Sequence, residues 1–538
     1  MRIVIADDLP KSAVELLRAE GWHIDATSGR TPEQLKADLA DADALVVRSA
    51  TKVTSDIIAA APKLRAIARA GTGVDNVDVD AASARGVVVM NAPGANSTSV
   101  AELAMAQILA LARKLPAADA SMKKGVWDKK SFMGEEVRGK VLGLAGLGRI
   151  GQEVARRARA FEMTVLAHDP FIAAQVAADL GIQLVTLDEL CVRADYLSLH
   201  MPSTAQTRHT FNADRLARCK KGIRILNTAR GDLIDEVALA AAIQSGQVGG
   251  AALDVFEQEP TRDHTLEMLP QVVASPHIAA STREGQELVG VETASALRDF
   301  LKAGIIRNAV NFPTVPSGEF QRLQPYMALG EQLGCLLGQM GEARIETMSV
   351  RYYGELAGPH PLIVSAVLVG LFRAILSDPV TAVNARATAA ARGIDIIEST
   401  STRTRNFRSL LSVKLLTDRG ERWVEGTVAD RSPRLVLLNG VPVDAPLGGT
   451  LLLISNHDQP GVIGEVGTIL GARGVNIANF ALGRSEGGAA GVVNVVPTSK
   501  SSAQSSALLS DTRLRKLSFT GSTPVGVKLL EAAAQNVL

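Results

Sequence analysis

The chain has 538 residues, with 57 Lys and Arg against 56 Asp and Glu for a formal net charge of +1. That length exceeds what one hydrophobic core serves, so three or four domains are expected, and the charge balance excludes the usual electrostatic signature of a nucleic-acid or membrane-surface partner. Aromatics make up only 4%, and the dominance of Ala, Val, Leu, Gly and Ile suits parallel sheets covered by helices, an α/β class.

Residues 2 to 93 repeat a strand-then-helix rhythm: "RIVIAD" before "SAVELLRAEG", "ALVVRS" before "TSDIIAAA", "LRAIARAG" before "VDVDAASARG", then "VVVMNAP". The alternation predicts a small doubly wound unit. "NSTSVAELAMAQILALARKL" predicts a long helix with Ser99 and Glu102 in capping-box spacing. It leads into a second strand-helix series at "GKVLGLAGLGRIG". A second long helix starts at "STREGQELVGVETASALRDFLKAG", with Ser281 and Glu284 in the same spacing. The two helices read as a hinge pair: 1–94 and 281–312 form one unit, and 95–280 is inserted in it. "NFPTVPSGEF" has the composition of a linker, and 318–447 then mixes helical stretches with alternating strands and carries no catalytic cluster. "DAPLGG" marks a further boundary before a compact strand, helix, strand pattern from 450 to 489. Cys191, Cys219 and Cys335 are odd in number and far apart, which argues for a reducing compartment and no disulfide framework. "MRIVIADD" opens as a strand and no apolar run reaches membrane length, so a cytoplasmic location is expected, with no metal, nucleic acid or membrane partner.

Gly146, Gly148 and Gly151 stand in GxGxxG spacing between an apolar strand and a helix. Such glycines permit a tight turn and close backbone approach to a pyrophosphate, which then rests on the positive end of the helix. Asp169 follows eighteen residues beyond Gly151, at the end of "TVLAHD". A carboxylate there accepts hydrogen bonds from ribose hydroxyls and repels a 2′-phosphate, so NAD is expected over NADP. The loop contacts expected are Gly146, Gly148, Arg149, Ile150 and Gly151, with Asp169 beyond them. Together these segments predict two Rossmann-like parallel-sheet domains.

Arg230 in "NTARG", Glu259 in "LDVFEQEP" and His277 in "SPHIAAST" each follow an apolar strand. In a parallel sheet all three emerge at the carboxyl edge, where open α/β sheets bind ligands. Alcohol oxidation by hydride transfer needs a group to take the hydroxyl proton, which suits histidine. A carboxylate beside it fixes the ring and favours the imidazolium, and an arginine holds an α-carboxylate through two parallel hydrogen bonds. The bland alternatives are a satisfied polar histidine, a turn acid before Pro260, and an Arg230 paired with Asp232 or Asp235.

"GLGRIG", "NTARGDLIDE", "AALDVFEQEP" and "SPHIAAST" closely resemble the signature segments of the D-isomer-specific 2-hydroxyacid dehydrogenases, over about residues 1 to 310. The resemblance implies Arg230 as carboxylate anchor, Glu259 as histidine partner, His277 as acid/base and Asp254 as a nicotinamide contact. It adds cofactor contacts at Met201, Thr228 and Ala229, although "LHMPSTAQT" departs from the family pattern at Met201, so backbone contact alone is expected there. "VVRSATKVTSDII" and "RAGTGVDNVD" resemble the branch that oxidises 3-phospho-D-glycerate to 3-phosphohydroxypyruvate, the first step of L-serine synthesis. On that reading Arg48 meets a phosphate, and Gly71 and Gly73 present N–H groups to a carboxylate. Sister enzymes acting on glyoxylate or hydroxypyruvate, and a non-catalytic NAD-dependent sensor, are the alternatives.

The long type of that branch carries an α+β intervening domain and an ACT domain, resembling 318–447 and the region from 450 onward. ACT domains of the family pair across subunits and bind L-serine, which implies a homodimer or homotetramer and, at Asp458 and Asn476, an effector site. From "GVVNVVP" the chain resembles instead an internal piece of an aldehyde dehydrogenase, including "FTGST". The tail 490–538 is therefore expected to complete the ACT-like unit with poor register and packing, leaving a frayed C-terminus and weakened serine regulation.

Overall fold

The computed structural model describes every residue except 342, 357–359, 404–405, 457–459, 473–474, 486–487, 498–517 and 521–538. Five short strands open the chain: β1 (Arg2–Ile5), β2 (His23–Ala26), β3 (Ala44–Val47), β4 (Ala66–Arg69) and β5 (Val88–Met90). They form one parallel sheet in the order β2-β1-β3-β4-β5. Ile3, Val4, Leu45, Val46, Ile67 and Val89 are fully buried or nearly so, as strands covered by helices on both faces require. The order reverses between β1 and β3, so a crevice opens at their carboxyl ends, beside Asp7 and Arg48.

The second sheet has seven strands, β6 (Val141–Ala145), β7 (Thr164–His168), β8 (Gln183–Leu184), β9 (Tyr196–Leu199), β10 (Ile223–Asn227), β11 (Val248–Leu253) and β12 (Val272–Ala274). All pair in parallel, in the order β12-β11-β10-β9-β6-β7-β8. The two sheets give the doubly wound α/β class expected from the strand-helix rhythm.

Two long helices, Ser97–Arg113 and Arg283–Ala303, link the sheets. Their starts differ from the capping boxes expected at Ser99 and Ser281. The first helix begins at Ser97, after Asn96, so Ser99 lies inside it. Ser99 Oγ instead pairs with Thr282 Oγ1 at 2.7 Å, and Glu102 forms an ion pair with Arg157 of the neighbouring helix. At the second helix, extended backbone at Thr282 sets the start one residue later, and Thr282 Oγ1 accepts the Gly285 N–H at 3.0 Å. The hydroxyl pair therefore joins the two helix starts, and a Cβ on Gly285 would lie 2.7 Å from Ser99 Oγ.

The third sheet mixes directions: β13 (Ile345–Gly354), β14 (Asp395–Ser401), β15 (Ser409–Thr417), β16 (Gly420–Ala429), β17 (Ser432–Leu438) and β18 (Val441–Pro446), ordered β14-β13-β15-β16-β17-β18. Helices Ser317–Gln339 and Pro361–Ile375 cover it. They cross so closely that a Cβ on Gly370 would fall 1.9 Å from the Glu331 carbonyl oxygen. The apolar surround of "LIVSAVLVGLF" is thereby explained, since the helix is buried between sheet and partner helix.

The fourth sheet, β19 (Thr450–Asn456), β20 (Val475–Ser485), β21 (Gly488–Pro497) and β22 (Ser518–Thr520), is antiparallel in the order β20-β21-β19-β22. Leu451, Leu453 and Val492 share one apolar core with Leu435 and Val443 of the third sheet. The frayed C-terminus expected of the tail lies, beyond Thr520, outside the described residues. No helix among the described residues is long and apolar enough to cross a membrane.

Candidate active site

Arg230, Glu259 and His277 all leave carboxyl ends of adjacent parallel strands. After β10, the side chain of Asn227 folds back on the chain: its Oδ1 accepts the Ala229 N–H at 3.0 Å and its Nδ2 donates to the Arg230 carbonyl at 2.8 Å. The turn fixes the direction in which Arg230 leaves the sheet. Gly231 follows because nothing larger fits; a Cβ there would sit 1.9 Å from the backbone of Phe256. That contact draws the exit of β11, which carries Glu259, against the exit of β10.

Asp254 organises the histidine. It is fully buried, its Oδ1 accepts from Ser275 Oγ at 2.6 Å and from the Ile278 N–H at 2.9 Å, and its Oδ2 accepts from the Ala279 N–H at 2.8 Å. Its carbonyl accepts the His277 N–H at 2.8 Å. His277 has φ +52°, a left-handed conformation that a non-glycine residue holds only when its surroundings impose it. The four bonds to Asp254 impose it, so this aspartate has a structural task that sequence reasoning, which assigned it a nicotinamide contact, did not reveal.

His277 Nδ1 lies 2.6 Å from Glu259 Oε2, and Glu259 Oε1 accepts the Phe256 N–H at 3.1 Å. The hydrogen bond to Glu259 lifts the His277 pKa above its ordinary value against the opposing effect of burial, with the nearby Arg230 charge also pulling it down. For Glu259, burial favours the protonated form, but the bonds from His277 and Phe256 and the His277 and Arg230 charges outweigh it, and the pKa stays low. The Arg230 charge acts on both members of the pair, so the three side chains stand within electrostatic reach of one another.

The other wall is the carboxyl edge of the first sheet. Arg230 Nε and Nη2 reach across to Asp75 Oδ2 at 3.0 and 2.9 Å. Arg48 is half-buried beside Asp7, whose carboxylate accepts the Arg48 N–H at 2.5 Å. Gly71 departs from expectation. The Gly71 N–H is already donated to the Arg69 carbonyl at 2.9 Å. A Cβ on Gly71 would overlap the Arg69 guanidinium, and one on Gly73 would lie 1.8 Å from Arg230 Nη2. The two glycines make room for cations; Gly71 does not offer a free N–H to a carboxylate. Arg69 itself was missed. Its Nε is buried without a hydrogen-bond partner, and burial together with the Arg230 charge holds its pKa below the usual guanidinium value. The signal was present in "LRAIARAG", an arginine ending an apolar strand, the same feature that singles out Arg230.

The glycine loop has the shape a dinucleotide requires. Gly146 has φ +103° and a Cβ there would lie 2.6 Å from the His200 carbonyl; one on Gly151 would lie 2.3 Å from the Gly146 carbonyl. A Cβ on Gly148 would meet nothing within 4 Å, so the space above the start of helix Arg149–Ala160 is open to a phosphate. Asp169 Oδ2 accepts the Leu147 N–H at 2.8 Å, which ties the carboxylate to the loop. Thr228 Oγ1 is buried without a partner, a polar atom that a cofactor hydroxyl or amide satisfies. Arg149 extends toward Gly94 in the hinge, whereas Ile150, Met201 and Ala229 pack partly buried against the apolar core. The residues present fit NAD. Of the expected effector residues, Asn476 is exposed on β20 and Asp458 lies outside the described residues.

Residues 105–279 match the family model "D-isomer specific 2-hydroxyacid dehydrogenase, NAD binding domain", 322–439 match "D-3-phosphoglycerate dehydrogenase intervening domain", and 450–502 match "ACT domain". A D-3-phosphoglycerate dehydrogenase of Methanocaldococcus jannaschii is 42% identical over 495 residues, 92% of this chain and 94% of its own. One from Mycobacterium tuberculosis is 43% identical over 480 residues, 88% of this chain and 90% of its own. Among solved structures, a D-lactate dehydrogenase of Aquifex aeolicus in complex with NAD and lactic acid superimposes with TM-score 0.52 at 29% identity, covering 58% of this chain and all of that one. With relatives of this identity matched over nearly their whole length, the chain belongs to the D-3-phosphoglycerate dehydrogenase family.

Proposed function

We propose that the protein oxidises 3-phospho-D-glycerate at C2 to 3-phosphohydroxypyruvate, with His277 as acid/base, Glu259 as its partner and Arg230 as anchor of the substrate carboxylate. The observation that carries this reading is the 2.6 Å His277–Glu259 pair in one cleft with Arg230. NAD, when bound on the Gly146–Gly151 loop, supplies the hydride acceptor. With Nδ1 committed to Glu259, His277 has Nε2 to accept the C2 hydroxyl proton, and Glu259 stabilises the imidazolium that results. Arg48, Arg69 and Arg230 offer three cations against the carboxylates of Asp75 and Asp7, an excess of positive charge suited to a substrate bearing both a carboxylate and a phosphate. Arg48 and the partner-less Arg69 take the phosphate; a glyoxylate or D-lactate enzyme has no phosphate for them to hold.

NADH absorbance with 3-phosphoglycerate and competing 2-hydroxy acids tests this directly. Turnover is expected to favour 3-phosphoglycerate, and His277→Ala to lower kcat by at least about a hundredfold, in line with the roughly 10²–10⁴ contributed by general acid/base groups. Preference for an unphosphorylated acid would sink the assignment. Arg69→Leu is expected to raise KM for 3-phosphoglycerate about ten- to a hundredfold with a smaller effect on kcat, the scale of one charged hydrogen-bonding group.

The pH dependence has a definite sign. Oxidation needs neutral His277, so activity in that direction rises with pH through the raised His277 pKa, while reduction of the keto acid declines over the same range. Glu259→Gln removes the main cause of the raised pKa. The limb of the oxidation profile should then move to lower pH, with a lower plateau because the imidazolium loses its partner. An unmoved limb would show that the titrating group is not His277.

A second copy of the chain is the expected partner. Helix Leu115–Lys123 has no buried residue, and Leu115, Met122, Trp127 and Met133 near it are all strongly exposed, an apolar surface that a monomer rarely displays. Light scattering should give a dimer or tetramer, and a monomeric mass would refute it. L-Serine is proposed as an effector of weakened action: the ACT match runs to residue 502, past the expected break at 490, and the tail beyond it resembles an aldehyde dehydrogenase segment. Titrating activity with L-serine checks this, and undiminished micromolar inhibition would contradict it.

A further inference from the structure

Helix Val79–Ala84 joins two unlike environments. At its start, Asp78 Oδ1 accepts the Ala81 N–H at 2.9 Å. Just before it, Asn76 Nδ2 donates to the carbonyls of Arg48 at 2.7 Å and Thr51 at 2.6 Å, and Asp75 binds Arg230. Segment 71–78 is thus stitched to the backbone of one proposed substrate cation and to the side chain of another.

At its far end the helix leaves carbonyls that cannot be satisfied within the helix. Two residues from the region of the third sheet supply donors: Asn384 Nδ2 to the Ala84 carbonyl at 3.3 Å and, just beyond the helix, Thr381 Oγ1 to the Gly86 carbonyl at 2.9 Å. Asn384 is only 7% exposed, and its Oδ1 accepts the Thr381 N–H at 2.8 Å, which braces the pair. Gly86 has φ +71°, and a Cβ there would lie 2.4 Å from Thr381 Oγ1. Val383, between the two donors, packs against the cluster of Val88, Met90 and Ala296. The site is built on both sides, with a glycine where the threonine arrives and a buried amide facing the helix end. A helix of six residues has little length over which to absorb a displacement, so movement at its capped end reaches the substrate loop.

We propose that Thr381 and Asn384 are positioning residues for the substrate: by capping this helix from another domain they hold segment 71–78, and with it the arrangement of Asp75, Arg48 and Arg230, ready for 3-phosphoglycerate. The inference rests on the reaction proposed above. It gives the region 318–447, which contributes no catalytic group, a direct hold on substrate affinity. Because binding free energies are reciprocal, substrate in turn tightens the docking of that region.

The test is the double variant Thr381→Ala/Asn384→Ala in the full chain, with Thr381→Val alone as the milder change should the double variant fold poorly. KM for 3-phosphoglycerate should rise about three- to tenfold, the scale of one or two lost buried hydrogen bonds, with kcat within about twofold. KM for NAD should not move, since the glycine loop belongs to the other sheet. Amides of 71–85 should exchange faster with solvent hydrogen, and Thr381→Ser, which keeps the hydroxyl, should restore the wild-type KM in combination with native Asn384. Faster exchange at 79–86 with an unchanged KM for 3-phosphoglycerate would overturn the proposal, as would an equal rise in KM for both substrates. A wild-type chain that does not oxidise 3-phosphoglycerate refutes the reaction itself, a result separate from any difference between variant and wild type.

Discussion

Two parallel sheets meet carboxyl edge to carboxyl edge, and the contact that spans them is Arg230 of the second on Asp75 of the first. In an open parallel sheet the carboxyl ends are where loops diverge and a crevice forms. Here two such edges face each other, with Arg48, Arg69 and Asp75 on one and Arg230, Glu259 and His277 on the other. The hinge helices make this opposition possible, joined at their starts by the Ser99–Thr282 hydroxyl pair. A strand order or hinge that turned either sheet end for end would leave Arg69 and His277 on separate surfaces.

Electrostatics within the cleft follows from that opposition. Three guanidinium groups gather with few carboxylates to neutralise them, and one of them, Arg69, is buried enough that its charge is disfavoured. An anionic ligand relieves that cost, so binding and the relief of burial favour the same occupied state. The His277–Glu259 pair works in the opposite sense. There the carboxylate is internal and permanent, and it sets the proton affinity of the imidazole before any ligand arrives. Asp254 completes the arrangement by holding His277 at φ +52°, a conformation the local sequence alone would not select.

The remaining domains follow a different physical logic. The third and fourth sheets share one apolar core through Leu435, Val443, Leu451 and Val492, so the C-terminal half behaves as a joined body. That body touches the first domain through the hydrogen bonds of Thr381 and Asn384 and through Val383, which packs on Val88, Met90 and Ala296. Hydrogen bonds of this kind can be altered without unfolding either side, which is the property a positional control needs.

The chain order of strands and helices, the glycine loop and the three strand-end residues Arg230, Glu259 and His277 were legible in the sequence, because each rests on local rules: period, turn chemistry and the side of a parallel strand on which a chain must exit. Local rules were weaker at helix starts: Thr282 took the cap expected of Ser281, and the first helix starts after Asn96 with no side-chain cap, since Ser99 pairs with a hydroxyl 183 residues away. They failed for Gly71, whose N–H is spent within its own turn, and they passed over Arg69, whose importance comes from burial and from the neighbouring Arg230 charge. Sequence by itself determined which chemical groups stand at the strand ends. Only tertiary structure decided which of them face one another and which lack a partner, because distance across a cleft and access to water are properties of packing that no stretch of chain contains.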